Sequence, residues 1–308
     1  MRTPTTLAAI AIAASAARAE NPKNLLFVGN SFTGSGGGVH LLVQDIATAA
    51  GHPTPYVFGR VIGGQTLEWH LATGTYVIDS EIPAGQHWDA VVLQEYSTRP
   101  TSHPTDGNVP AFLAAAEGWY QTVLDHSPAA EAVLFETWAR APGNSVYPTY
   151  WPGPSFMQSE LHDNYNLCRD LLGALGTAEV APVGDAFELG SFDLSLYGGD
   201  LYHASNRGAL LMSLVIYGTI YDDTTTSDID LTDIASGLGL GQTDIDFATD
   251  LADRILVPSP AGASLFLALG LVAPRRRRQQ WRGFPETRSR GHRPAESRRG
   301  SRLSTPPA

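Results

Sequence analysis

Two stretches of the chain carry side chains suited to acyl-transfer chemistry. The first, Gly29-Asn30-Ser31-Phe32-Thr33, follows directly on the apolar run Leu25 to Val28; the second, Asp200-Leu201-Tyr202-His203, lies far along the chain ahead of a helical pattern. A serine hydroxyl is a poor nucleophile until an imidazole takes its proton, and that imidazole needs a third group to hold its orientation. Asp200 and His203 are three residues apart, close enough to share one turn. Ser31, at the end of a β-type run, belongs where a parallel strand delivers its loop to the carboxyl edge of a sheet. Asp185 is a second carboxylate that could partner His203.

Elements able to hold these groups alternate along the chain. Strands are expected at Asn24 to Val28, Thr54 to Arg60, Ala90 to Gln94, Ala132 to Glu136 and Glu179 to Val183. Helices are expected near Val39 to Ala50, Val109 to Asp125, Ser155 to Leu175, Arg207 to Tyr221 and Asp244 to Leu256. The repeated β-then-α order predicts an α/β fold: a doubly wound three-layer α/β/α sandwich around a central, mostly parallel five-stranded sheet with right-handed crossovers. Polar residues stand at successive strand ends, namely Asn30 and Ser31, Gly63 and Gly64, Gln94 and Glu95, and Glu136 to Trp138. Such gatherings mark the crevice of a doubly wound fold.

The ends differ in composition from this domain. Residues 1–19 carry Arg2, the apolar run Leu7 to Ala14 and Ala17-Arg18-Ala19, the pattern of a secretory leader, too short to span a membrane. Residues 20–256 form the expected domain. Val257-Pro258-Ser259-Pro260, the apolar Ala261 to Ala273 and Arg275 to Arg278 resemble a PEP-CTERM sorting signal of bacteria. That resemblance implies transient membrane association through 257–278, with the arginines on the cytoplasmic side, and release by a sorting protease. Residues 279–308, rich in Arg, Ser and Pro, are expected to be disordered. The destination is then the cell envelope, the cell surface or the medium.

The whole chain has 20 basic and 31 acidic residues, net −11. Residues 20–274 keep only Lys23 and six arginines against 29 acids, so 7 − 29 = −22. A domain so acidic repels nucleic acid and anionic polymers. The lone Cys168 excludes an intrachain disulfide and a cysteine-based metal site. No Gly-x-Ser-x-Gly elbow, no phosphate loop and no His-Glu-x-x-His spacing occurs.

Four blocks in order resemble the SGNH/GDSL hydrolase family: Gly29 to Thr33; Val61-Ile62-Gly63-Gly64-Gln65-Thr66; Val91-Val92-Leu93-Gln94-Glu95-Tyr96-Ser97; and Asp200 to Gly208. The resemblance implies a flavodoxin-like SGNH fold and ester hydrolysis with Ser31 as nucleophile, His203 as base and Asp200 as its orienting acid. It also implies an oxyanion hole from the Ser31 and Gly64 N–H groups and the Gln94 side chain, Gln94 standing where the family has Asn. No metal and no organic cofactor is implied. Asn30, Glu95 and Trp151 are expected at the substrate. Trp151 belongs to the aromatic loop Tyr147 to Pro152 that should overhang the crevice, which suggests an acylated carbohydrate, such as an acetyl ester. The alternative is a catalytically silent SGNH-like domain serving as a cell-surface binding module.

Overall fold

Aliphatic and β-branched runs form five strands: β1 Asn24–Gly29, β2 Tyr56–Val61, β3 Ala90–Leu93, β4 Glu131–Phe135 and β5 Ala178–Ala181. They make one sheet in the order β2-β1-β3-β4-β5, every neighbouring pair parallel. Every residue of β1 is buried, as expected of a strand covered on both faces. The computed structural model describes residues 21–257, within a unit spanning Met1–Ser259. The leader at 1–19, the sorting segment beyond Val257 and the tail at 279–308 lie outside the described residues.

Nine helices of the described residues connect and cover the strands: α1 Val39–Ala49, α2 Leu67–Gly74, α3 Val77–Ser80, α4 Val109–His126, α5 Pro154–Leu172, α6 Val183–Leu189, α7 Asn206–Tyr221, α8 Thr232–Gly237 and α9 Gln242–Leu256. The long ones follow their apolar period. α1 buries Val39, Leu42, Val43, Ile46 and Ala47, one stripe at helical spacing. α4 starts where the Asn108 side chain accepts from the Ala111 N–H, with Pro110 in the first turn. α7 is capped by Ser205 and is buried almost all round, so it runs through the core, where α1 and α9 pack on it; α4 packs against both α2 and α5. No described helix is long and apolar enough to cross a membrane.

The expected fold class is therefore the observed one, with all five strands parallel. Element boundaries shift by one to three residues. β5 stops at Ala181, and Val183, expected to end the strand, instead opens α6, because Pro182 has no N–H to continue the ladder. α2, α3, α6 and α8 are each eight residues or fewer, too short to display a readable helical period.

Candidate active site

Ser31 leaves the end of β1, the strand flanked by β2 and β3 where the winding direction of the sheet reverses, the usual place for a ligand crevice. His203 arrives from the other end of the chain, on the loop before α7. Its Nε2 lies 2.9 Å from Ser31 Oγ, and its Nδ1 lies 2.7 Å from Asp200 Oδ2. The other Asp200 oxygen accepts the backbone N–H groups of Tyr202 and His203 at 3.0 and 2.9 Å. The carboxylate thus closes the turn and holds the ring at once. Burial works against its charge, but the hydrogen bonds from the His203 ring and the two N–H groups outweigh it and hold Asp200 below the ordinary carboxylate range. The turn is clamped from outside: Gly198 N–H donates to the His203 carbonyl at 2.7 Å, and Ala141 N–H donates to the Leu201 carbonyl at 3.1 Å.

Beneath the nucleophile, Gln94 is fully buried. Its Oε1 accepts from Asn30 N–H at 2.9 Å, Thr33 N–H at 3.3 Å and Thr33 Oγ1–H at 2.9 Å, while Nε2 donates to the Glu95 carbonyl. The expected oxyanion role of Gln94 is therefore corrected. The extra methylene over Asn carries the amide under the loop, where it fixes Ser31 from below. Asn30 is likewise buried and internal, accepting from Phe32 N–H and donating to the Gln65 carbonyl at 3.0 Å. It ties the serine loop to the loop after β2 and does not face a substrate.

Gly64, in that second loop, has φ +74°, a left-handed conformation that glycine adopts without penalty. Among the described residues, neither the Ser31 nor the Gly64 N–H has an acceptor. Gly64 also lines a cleft of about 300 Å³ with Thr66, Tyr96, Arg99, Thr105 and Asp106. A larger hollow of about 630 Å³ runs along the β5 edge, past Glu179, Val180 and Pro182, beside the ends of α7 and α9, and no triad residue lines it.

Glu95 and Trp151 also depart from expectation. Glu95 is fully buried; its Oε1 accepts the N–H groups of Leu67, at 3.1 Å, and Tyr96. It anchors the first turn of α2, and burial raises its carboxyl to about 7 against the opposing pull of those bonds. Trp151 is only 3% exposed and stacks on His103 at 5.8 Å; Tyr150 is the open ring of this loop, at 46%. Asp185 pairs with His162 at 2.7 Å and so is not the partner of His203. The Cys168 thiol is buried and pushed up to about 12 by desolvation, which keeps it unreactive.

Several supporting residues had no role assigned to them from the sequence. Phe32 stacks on Trp138, centroids 4.1 Å apart and planes at 11°, and meets the His203 ring edge-on at 5.6 Å. Trp138 Nε1–H donates to the Tyr202 carbonyl at 3.1 Å. The Arg140 guanidinium lies 3.7 Å over the Tyr202 ring and donates to Ser97 Oγ at 2.9 Å. These groups wall the histidine turn. Phe32 and Tyr202 lie inside the two blocks that carry Ser31 and His203, whereas the signal for Trp138 and Arg140 is their position just beyond β4.

No family model matches the chain, and no curated protein matches it closely. Solved structures do. A protein from Slackia heliotrinireducens with a provisional SGNH-hydrolase assignment is 25% identical, at TM-score 0.52, over 65% of this chain and 100% of its own. A DUF4886 family protein from Bacteroides uniformis is 16% identical, at TM-score 0.59, over 77% and 96%. A catalytic mutant of an acetylxylan esterase from Geobacillus stearothermophilus is 14% identical, at TM-score 0.50, over 66% and 96%. The five-stranded parallel α/β fold described here is the fold of SGNH-type hydrolases.

Proposed function

We propose that the chain is an exported serine ester hydrolase that removes small acyl groups, acetate above all, from a carbohydrate or similar alcohol. The observation that carries this reading is the unbroken relay from Ser31 Oγ through the His203 ring to Asp200. Ser31 Oγ attacks the ester carbonyl while His203 Nε2 takes its proton. The Ser31 and Gly64 N–H groups hold the oxyanion. His203 then protonates the leaving alcohol, and the acyl-enzyme remains. Water attacks it by the same route in reverse, releasing the acid and restoring Ser31. Asp200 stays ionised throughout and stabilises the imidazolium. The polar lining of the cleft beside Gly64, with Thr66, Tyr96, Arg99, Thr105 and Asp106, supports an alcohol rich in hydroxyls. Export through residues 1–19 and transient anchoring through 257–278, with a sorting protease as partner, belong to the same proposal.

The test is hydrolysis of p-nitrophenyl acetate by the full chain beside Ser31→Ala and His203→Ala. Loss of activity in both variants is the expected result. Activity indifferent to both, or none in the parent protein, overturns the reading and favours the silent binding module. The internal use of Gln94 is what favours that second reading, since it leaves the oxyanion two backbone donors.

A further inference from the structure

A second group of chemically capable side chains lies at the carboxyl end of β4, outside the triad. Glu136 directly follows β4 and is fully buried. Its Oε1 accepts from Gln158 Nε2 at 2.6 Å, and its Oε2 has no partner. Opposite stand His162 on α5 and Asp185 on α6, joined Nδ1 to Oδ2 at 2.7 Å. Gln158 Nε2 also reaches Asp185 Oδ1, at 3.3 Å, and its Oε1 accepts the Ala139 N–H at 3.0 Å. One donor atom from each of Glu136, His162 and Asp185 lies within 4.8 Å of the others.

We propose that Glu136, His162 and Asp185 form a binding site for one divalent transition-metal ion, zinc above all. The fully buried Glu136 carboxyl stands beside the half-buried Asp185 carboxyl and needs a proton or a cation with it, because a bare negative charge buried there next to another is strongly unfavourable. Nitrogen and carboxylate ligands bind zinc at about 2.0–2.2 Å, which sets donors roughly 3–3.6 Å apart around the ion. The present donors lie within 4.8 Å of one another, so coordination requires them to draw in by about 1 Å. An imidazole in the set disfavours calcium and magnesium, which take oxygen ligands. The partnerless Glu136 oxygen supplies the buried ligand, and His162, with half its side chain exposed, supplies the entry path. Gln158 steadies both carboxylates from the outer shell, the usual arrangement around a metal.

The ion would fasten α5 and α6 to the end of β4. Glu136 stands two residues before Trp138, the ring stacked on Phe32 beside the nucleophile. The site is thus a structural clamp behind the wall of the crevice, and it does not depend on the esterase reading.

Untagged full-length protein, stripped with a chelator and dialysed, is titrated with zinc, manganese and calcium chlorides by calorimetry and by thermal denaturation. One saturable zinc site, a rise in Tm with zinc, and weaker or absent calcium binding are expected. His162→Ala, at the exposed position, and the near-isosteric Glu136→Gln should each weaken zinc binding by more than about tenfold. Absence of saturable zinc binding, or equal affinity in His162→Ala, overturns the site and leaves a proton shared between the carboxyls as the explanation. If Glu136→Gln fails to fold, His162→Ala alone decides.

Discussion

Gln94 occupies the position where an oxyanion donor was expected, yet both ends of its amide are used internally. Three donors from the serine loop converge on its Oε1. Gln94→Ala should therefore lower stability and activity together. Each buried donor left without an acceptor costs about 1–3 kcal/mol, so thermal denaturation should show a marked fall in Tm beside the loss of kcat. A pure oxyanion donor would cost ~10²–10³ in kcat with Tm unchanged. Asp200→Asn should keep the turn but present the wrong tautomer, with kcat for p-nitrophenyl acetate down by about 10⁴ and KM little altered. The carboxylate is held below its ordinary value, so its contribution to stability is present above that ordinary value and fades as pH falls through the lowered one. Asp200→Asn should accordingly flatten the acid end of a Tm–pH curve.

At the scale of elements, the loop after β2 and the start of α2 align the second half of the site. Two carriers set that alignment, the left-handed Gly64 and the buried Glu95. A Cβ on Gly64 would meet nothing within 4 Å, so Gly64→Ala is penalised by backbone conformation alone, about 1–2 kcal/mol. Relief of that strain would turn the N–H away, and the expected signature is a large fall in kcat with a small fall in Tm, read from kinetics and melting of one preparation. Glu95 has its carboxyl raised from 4.5 to about 7 by burial. A raised acid binds more protons in the folded state, so stability falls as pH rises from about 4.5 to 7, by about 3 kcal/mol. Glu95→Gln, which keeps an acceptor for the Leu67 and Tyr96 N–H groups, should remove that slope in urea unfolding measured across the interval.

For the whole molecule, charge is the governing quantity. Residues 20–274 carry a net charge of −22, and a field of that sign repels anionic substrates over roughly 8–10 Å at physiological salt. Under the esterase reading, an aryl acetate should be cleaved with higher kcat/KM than its hemisuccinate counterpart. The gap should narrow in ~1 M NaCl, where charges are screened within about 3 Å. A gap indifferent to salt would place the discrimination inside the cleft.

The sequence by itself determined the parallel α/β architecture, the five strands and the five long helices, because the apolar pattern over four to nineteen residues records how an element is buried. It also determined that Asp200 and His203 could act together, since a three-residue spacing closes one turn locally. Only the tertiary structure decided which carboxylate serves which histidine, giving Asp200 to His203 and Asp185 to His162. It alone turned Gln94 and Asn30 inward, sank Trp151 and set Glu95 under α2. The physical reason is common to all of these. The direction of a side chain at a strand end, and the partner that satisfies it, depend on loops brought together from distant parts of the chain, and no local spacing encodes that meeting.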